Sequence, residues 1–330
     1  MKTKNEHSAS FRLATQRGEP MASIDLGTNT FHLLIVEQPT IKTNQFKIIH
    51  KEKIAVTIGQ GGINKGIINK AAQARMFEAL RQFRRTLDHY CVKPHATYVT
   101  ATSALRNAKN KQRILKKIKE EVNFDVNVIS GTEEATYIYY GVKTVLQLDE
   151  KPYLIMDIGG GSVEFVIADK QQVFWKESFE IGAQRLLELF MTNDPITTEE
   201  VEKLYNYIKE KLVPLTQMVK KYAPQVLIGS SGTFDTLHEI DLQKQQIDRL
   251  NHPEEARFSR DAFLAIFKDF LHKDRTQRLA IPGMTAMRVD MIVVAACLLD
   301  FILETYQINE VKVSPYALKE GVLSYQLGWV

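Results

Sequence analysis

Two short segments of the chain place a carboxylate directly before residues that can bind phosphate. We call them loop one (residues 25–30, DLGTNT) and loop two (residues 157–162, DIGGGS). In each, an apolar run ends in an aspartate, a turn containing glycine and a hydroxyl residue follows, and a second apolar run begins. Asp25 aligns with Asp157. The repeated pattern predicts two equivalent strand–turn–strand units.

Such a turn can bind a phosphoryl group together with a metal ion. A carboxylate at a strand end, such as Asp157, can hold Mg²⁺, which prefers oxygen ligands and keeps much of its water. Gly160 and Gly161 let the backbone approach another group, and successive N–H groups there form a nest for phosphate oxygens. Ser162 adds a hydroxyl donor. Alternation along the next strand places Glu164 on the side of Ser162, which makes Glu164 a second candidate metal ligand.

Simpler interpretations of the loops stay open at this point. A single copy could be a plain β-hairpin with a glycine turn and a solvent-facing glutamate. Two copies that close on a ligand from opposite sides are harder to explain as turns, and they predict a phosphate clamp. The sequence contains no GxxxxGK[ST] motif, and neither loop is a GxGxxG followed by a helix, which disfavours a dinucleotide fold.

The composition is that of an ordinary globular protein. The chain has 330 residues, and 43 Lys and Arg against 39 acids give a formal charge of +4, too weak to predict nucleic-acid binding. Cys91 and Cys297 are too few for a disulfide framework, so we expect reduced thiols and a cytoplasmic protein. The longest apolar run, 291–303, contains Asp300 and is too short to span a membrane.

The segments around the two loops alternate between strand and helix patterns. This alternation predicts an α/β fold in two related halves. We expect one long helix over 196–222, with Thr197 or Thr198 as its cap, and a buried helix over 287–306. Residues 1–20 are polar and aperiodic and predict a loose extension.

The whole chain from about residue 22 resembles one known family. The two loops and IGSSGT (228–233) resemble the phosphate and adenosine motifs of the actin-like ATPase superfamily. Four further segments resemble the exopolyphosphatase / guanosine pentaphosphate phosphohydrolase (Ppx/GppA) family: TSALRNAKN (102–110), ISGTEEATYIYYGV (129–142), PGMTAMRVDMI (282–292) and SPYALKEGVL (314–323).

The resemblance implies two ribonuclease H-like domains with an active-site cleft between them. Domain I would comprise residues 21–130 and 317–330, and domain II residues 131–316, after a flexible extension over 1–20. The chain resembles the short form of the family, without a C-terminal HD-type domain. A homodimer is the family expectation.

The resemblance also implies an activity. The chain would release terminal orthophosphate from inorganic polyphosphate with Mg²⁺, or Mn²⁺ as the alternative ion. The alternative substrate is pppGpp, converted to ppGpp by loss of its 5′-γ-phosphate. Other hypotheses are an actin-like-fold kinase and a nucleotide-binding module without turnover. Basic helices, such as residues 109–122, could attract a polyanion, although for any single one the solvated face of an amphipathic helix is the favoured interpretation; no specific nucleic-acid partner is expected.

Family placement assigns roles to individual residues. Glu134 would be the base that activates water, although it and Glu133 could simply complement a helix dipole. Arg106 would grip phosphoryl oxygens, although it could be merely solvated. The metal ligands would be Asp157, Glu164 and Asp25. The phosphate-binding residues would be Asn29, Thr30, His32, Gly160, Gly161, Ser162, Ser231 and Gly232. Arg185 and Arg288 are weaker candidates for phosphate binding or domain packing.

One glycine-rich turn departs from the family pattern. The family usually reads close to VRLGEG, and this chain reads VTIGQG over residues 56–61, with Thr57 for arginine and Gln60 for glutamate. The change puts affinity for long chains, or substrate preference, in doubt. It leaves the four acids of the predicted site in place.

Overall fold

The structure, a computed structural model, describes residues 18–38, 46–247 and 256–330 of the chain. The extension predicted over 1–20 therefore lies outside the described residues, apart from its last three. Of these, Pro20 already begins the first strand.

Loop one connects two strands of a five-stranded sheet. Its strands are β1 (Pro20–Leu26), β2 (Thr30–Glu37), β3 (Lys47–Ala55), β4 (Thr97–Ala101) and β5 (Val126–Val128). They lie in the order β3-β2-β1-β4-β5. The first three are antiparallel neighbours, and β4 and β5 continue the sheet parallel to β1. Because parallel strands end at one edge, loop one and the segment after β4 lie side by side.

Loop two connects the equivalent strands of a second sheet. The strands of this sheet are β6 (Tyr153–Ile158), β7 (Val163–Ala168), β8 (Val173–Phe179), β9 (Val226–Ser230), β10 (Arg257–Ser259) and β11 (Glu310–Ser314). Their order is β10-β11-β9-β6-β7-β8. Apart from the edge strand β10, this repeats the order and directions of the first sheet. The prediction of two related α/β halves is confirmed.

The helices of the described residues alternate with these strands. They are α1 (Lys70–His89), α2 (Ser103–Asn107), α3 (Lys111–Val122), α4 (Gly131–Val145), α5 (Ala183–Phe190), α6 (Thr198–Lys211), α7 (Val213–Tyr222), α8 (Gly232–Gln245), α9 (Arg260–His272), α10 (Arg275–Leu279), α11 (Ile292–Tyr306) and α12 (Leu318–Gln326).

Each sheet has its own apolar core, and α12 packs against both. The helices α1 and α3 cover the first sheet, whereas α11, buried from Ile292 to Leu299, lies in the core of the second. Leu318 of α12 packs with α4 against the second sheet, and Leu323 packs with first-sheet residues. A side chain at Gly321 would collide with the α4 backbone, so glycine there permits the close approach.

The predicted long helix over 196–222 is wrong in one respect. The chain forms two helices, α6 and α7, which meet at Leu212. Pro214 lies in the first turn of α7, because proline lacks an N–H and its ring collides with a preceding turn of helix. Thr197 caps α6 as expected, accepting a hydrogen bond from the Glu200 N–H at 3.2 Å.

The boundaries proposed for domains I and II stay predictions. The strands of the first sheet fall within 20–128, and those of the second within 153–314. Within the three described ranges, no helix combines the length and apolarity needed to cross a membrane.

Candidate active site

Loop one and loop two meet across a cleft between the two sheets. A side-chain carbon added at Gly161 would lie 2.5 Å from the Ser103 Oγ atom and 2.7 Å from the Thr28 Oγ1 atom. One added at Gly160 would collide with the Asn29 amide. The glycines of loop two are therefore needed because loop one and the start of α2 come this close.

The cleft collects the predicted site residues. Those that line it are Asp25, Asn29, Thr30, His32, Glu134, Asp157, Gly160, Gly161, Ser162, Ser231 and Gly232. Arg106 and Glu164 border it through contacts with these residues. Parallel strand ends explain this convergence, because loop one, α2, loop two and the turn after β9 all follow the carboxyl ends of strands.

The carboxylates near loop two are held by hydroxyl groups. Asp157 accepts a hydrogen bond from the Ser230 hydroxyl at 2.6 Å, and Glu164 accepts one from the Ser178 hydroxyl at 2.6 Å. Asp157 and Glu164 face each other in register on β6 and β7. Burial, with the nearby charge of Asp157, raises the pKa of Glu164 to about 8. Burial also raises the pKa of Asp157.

Two side-chain oxygens of loop one lack such support. The buried Oδ1 atoms of Asp25 and Asn29 have no hydrogen-bond partner among the described residues. Desolvation raises the pKa of Asp25 to about 7; the charge of Lys319 opposes the rise, and that of Asp157 adds to it. Buried polar atoms are normally hydrogen-bonded, so these two oxygens mark places where ligand atoms are expected.

Glu134 lies in the first turn of α4, where the local sequence fixes its position. Ser130 caps the helix, and the Glu133 carboxylate accepts a hydrogen bond from the Ser130 N–H at 2.8 Å, which forms a capping box. Glu134 is thereby left free of the cap. Its Oε2 atom accepts a hydrogen bond from the Arg106 Nη1 atom at 2.7 Å. Burial, followed by the charge of Glu164, raises the pKa of Glu134 well above its usual value, and Arg106 opposes this rise.

Arg106 is not a solvated side chain. It lies on α2, just beyond the strand end where the sequence placed it, and its side chain is 15% exposed. Its Nη2 atom lies 3.2 Å from the Glu180 Oε1 atom and 3.4 Å from the Ser162 Oγ atom. The charges of Glu134 and Glu180 raise the pKa of Arg106, although burial opposes this.

A group of cations that sequence reasoning largely missed lines the same cleft. We call Lys53, Arg288 and Lys319 the cationic wall. Lys319 pairs with the fully buried Glu320 at 3.1 Å, and a side chain at Gly232 would collide with the Arg288 guanidinium. Of these three cations, only Arg288 is a candidate phosphate-binding residue in the sequence. Lys319 could have been found from its place in the SPYALKEGVL segment, which resembles the family.

The cationic wall acts on two titratable groups. Partial burial, with the charge of Arg288, lowers the pKa of Lys53 to about 8, although much of Lys53 is exposed. Burial and the three wall cations lower the pKa of His32 well below its usual value. His32 is therefore a neutral hydrogen-bonding group, 3.1 Å from the Thr30 hydroxyl, rather than a fourth cation.

The candidate metal ligands do not form a closed protein site. Within the described residues, no three Asp, Glu, His or Cys side chains converge closely enough to hold a metal ion. Asp157 and Glu164 form a pair, and the charges of Asp25 and Asp157 act on each other across the cleft. Such a donor set fits Mg²⁺, which retains waters and takes substrate oxygens, better than a metal that needs four protein ligands.

The residues that depart from the family pattern lie outside the cleft lining. Thr57, with a φ of 42°, is in the turn after β3, and its hydroxyl is 3.5 Å from the Gln60 Oε1 atom. Arg75 holds this turn by donating to the Val56 and Thr57 carbonyls at 2.8 and 2.9 Å. Any effect of the replacements on substrate would therefore be indirect.

Comparison with known proteins gives concordant matches. A family model described as the Ppx/GppA phosphatase family matches residues 35–328. The crystal structure of an exopolyphosphatase from Cytophaga hutchinsonii is 42% identical with a TM-score of 0.88, covering 94% of this chain and 99% of that chain. A structure of the Aquifex aeolicus PPX-GPPA enzyme is 25% identical with a TM-score of 0.75, covering 93% and 99%. The predicted α/β fold class, with two related sheets, is confirmed.

A curated relative differs in length. The Vibrio vulnificus protein named guanosine-5′-triphosphate,3′-diphosphate pyrophosphatase is 28% identical over 306 residues, which are 93% of this chain. The same alignment covers 59% of the Vibrio protein, so the chain spans less than two thirds of that relative.

Proposed function

The chain belongs to the Ppx/GppA phosphatase family, and from this premise we propose that it releases terminal orthophosphate from inorganic polyphosphate. It is a hydrolase that acts on phosphoric anhydrides. The proposal concerns which anhydride it cleaves and which residues do so.

The observation that carries the choice of substrate is the charge along the cleft. Arg106 lies beside Glu134 and Ser162, where a terminal phosphoryl group would meet loop two. The cationic wall lines the same cleft and lies close enough to His32 to lower its pKa. Polyphosphate carries negative charge at every unit, so a chain with its end at Arg106 would present further phosphates to the wall.

Glu134 is the proposed general base. In its ionised form it would take a proton from the water that attacks the terminal phosphorus. Its raised pKa makes it a better proton acceptor than an ordinary glutamate, provided that the pH lies above this pKa. Arg106 would move from Glu134 to the phosphoryl group when substrate arrives, which frees the carboxylate.

The two loops would hold the phosphoryl group from opposite sides. Loop two offers the N–H groups of Gly160, Gly161 and the Ser162 hydroxyl, and loop one offers Asn29 and Thr30. Ser231 and Gly232 lie at the start of α8, beside the cationic wall, where they would meet later phosphates. Together these donors would neutralise the charge that develops on the transferred group.

Phosphatases of this family generally need a divalent metal ion. The unpartnered Asp25 oxygen and the pair Asp157 and Glu164 fit Mg²⁺, with Mn²⁺ as an alternative. A bound divalent ion would supply positive charge at the phosphoryl oxygens. The negative charges of Glu164 and Asp25 contribute to the raised pKa of Glu134. A cation that offsets these charges would therefore lower the pKa of Glu134.

A second substrate is favoured by one relative. The Vibrio vulnificus protein is named for guanosine-5′-triphosphate,3′-diphosphate. The pppGpp molecule also ends in a terminal phosphoryl group, and the cationic wall could meet its second phosphate cluster. We rank pppGpp below polyphosphate because the Cytophaga hutchinsonii protein, which is named an exopolyphosphatase, is 42% identical to this chain. The Vibrio vulnificus protein is 28% identical.

The test is a comparison of phosphate release from long-chain polyphosphate, pppGpp and ATP by the wild-type protein with Mg²⁺. The proposal expects the highest kcat/KM with polyphosphate. A higher value with pppGpp would replace polyphosphate by the second substrate, and release from none of the three would overturn the proposed function.

A further inference from the structure

Glu180, which is not among the predicted site residues, accepts hydrogen bonds from Ser103, Arg106 and Arg185 at the edge of the cleft. It follows β8 directly, and its Oε1 atom lies 3.2 Å from the Arg106 Nη2 atom. Its Oε2 atom accepts hydrogen bonds from the Ser103 hydroxyl at 2.7 Å and from the Arg185 Nη2 atom at 2.8 Å. Although partial burial opposes it, these hydrogen bonds and charges lower the pKa of Glu180, which keeps the carboxylate ionised.

The two ends of the Arg106 fork have different partners. Nη1 is directed at Glu134, at 2.7 Å, and at the Ile129 carbonyl, at 3.4 Å. Nη2 is directed at Glu180 and Ser162. One end of the guanidinium can therefore leave Glu134 for a phosphoryl oxygen while the other end keeps its partner.

Glu180 is itself fixed to the phosphate-binding backbone. Its partner Arg185 donates from Nε to the Gly161 carbonyl of loop two at 2.7 Å and from Nη1 to the Ile63 carbonyl at 3.1 Å. Glu180 and Arg185 thus connect the Arg106 guanidinium to the backbone of loop two, although Arg106 itself lies on α2.

We propose that Glu180 is a positioning residue that holds Arg106 while Arg106 exchanges Glu134 for the terminal phosphoryl group. This inference rests on the proposed function of the same cleft. Without the anchor, both ends of the Arg106 fork are free to pair with Glu134, the favoured geometry for arginine and a carboxylate. That arrangement would weaken Glu134 as a base and withdraw Arg106 from the phosphate.

The exposure of Glu180 limits the expected effect. Its side chain is 42% exposed, so solvent screens part of its attraction for Arg106. We therefore expect Glu180→Gln to lower kcat about tenfold, with KM changed less than about twofold because the loops still bind substrate. The matched control is Glu177→Gln, earlier on the same strand and in register with Phe165, which we expect to keep wild-type kcat.

A double-mutant cycle separates positioning from a general structural role. If Glu180 acts through Arg106, Glu180→Gln will cost little further activity in an Arg106→Ala background. An equal loss in both backgrounds, or wild-type kcat for Glu180→Gln, would overturn the inference. Should Glu180→Gln melt more than a few degrees below wild type, Glu180→Asp, which keeps the charge but shortens the reach, replaces it in the same cycle.

The same experiment distinguishes this inference from the proposed function. Absence of phosphate release from polyphosphate by the wild-type protein removes both. If the wild type and the Glu177→Gln control release phosphate from polyphosphate and Glu180→Gln keeps wild-type kcat, only the positioning role of Glu180 is contradicted.

Discussion

Loop one and loop two share a sequence pattern and follow equivalent strands, but their polar atoms are held differently. Asp157 at loop two has the Ser230 hydroxyl at 2.6 Å, and its neighbour Glu164 has the Ser178 hydroxyl at the same distance. The Oδ1 atoms of Asp25 and Asn29 in loop one have no partner among the described residues. Loop two is thus organised by the protein alone, whereas loop one has polar atoms left for a ligand.

From this difference we infer that the two loops have different roles in ligand binding. Preorganised groups lose little free energy on binding, so loop two would fix the phosphoryl group and its cation. Loop one would complete the site from the other side when the ligand is present.

The largest contrast is expected between the two aspartates. Asp157→Asn should lower kcat/KM about thousandfold, roughly 4 kcal/mol, because it removes half of the carboxylate pair with Glu164. Asp25→Asn should cost only about tenfold, because Asp25 acts alone on its side of the cleft. The check is phosphate release from polyphosphate at saturating Mg²⁺. A larger loss for Asp25→Asn would reverse the assigned division.

A smaller effect is expected from an added methyl group. Gly161→Ala would press on Ser103 and Thr28 across the cleft, and overpacking costs about 1–3 kcal/mol. Because the cost falls on the arrangement of the loops that binds phosphate, we expect kcat/KM to fall roughly five- to 150-fold. Gly27→Ala would meet the Thr30 carbonyl of its own loop, at 2.7 Å, so it strains the turn of loop one without touching loop two. Wild-type kcat/KM for Gly161→Ala in the same assay would show that the approach of the loops is not the limiting feature.

The acids also predict a dependence of stability on pH. Asp25 has a folded pKa of about 7, above its ordinary 3.8. The stability that it contributes is fully present below its unfolded pKa and is lost as the pH rises through about 7. In thermal unfolding without metal, Asp25→Asn should match wild type near pH 4 and exceed it by a few degrees at pH 8.

Two further measurements of melting temperature test the raised pKa of Asp25. Mg²⁺ should raise the melting temperature of the wild-type protein more at pH 8 than at pH 5, since the ion favours the charged carboxylates. A difference between wild type and Asp25→Asn that does not vary with pH would contradict the raised pKa.

The smallest effect is expected from a serine near loop two. Ser230→Ala removes the hydroxyl that orients Asp157 and should weaken Mg²⁺ binding about tenfold, as measured by calorimetry. Ser23→Ala is the matched control near loop one, because the Ser23 hydroxyl has no partner among the described residues. Equal Mg²⁺ affinities for the two variants would show that Ser230 does not support the site.

Local patterns made the fold and much of the cleft predictable. The strand before each loop, the turn chemistry and the cap of α4 depend on neighbours in sequence, so loop one, loop two and the helix start with Glu133 and Glu134 could be located. The choice of Glu134 as the base depended on the family resemblance. The break between α6 and α7 was missed, although Pro214 disfavours a continuous helix at that point.

Long-range pairings could not be predicted in the same way. Lys53 and Lys319 are ordinary residues on a strand and a helix, and only the packing of α12 against both sheets brings them to one cleft. Glu180 is separated from Arg106 by 74 residues. No periodicity or spacing in the sequence records such contacts, which depend on how the two sheets meet.

The most direct test of the proposed site is phosphate release from polyphosphate by Glu134→Gln beside Glu133→Gln. A base role for Glu134 predicts that Glu134→Gln lowers kcat about thousandfold. Glu133→Gln should keep near wild-type activity, because glutamine also completes a capping box. Full activity of Glu134→Gln, or equal losses in the two variants, would contradict the assignment of Glu134 as the base.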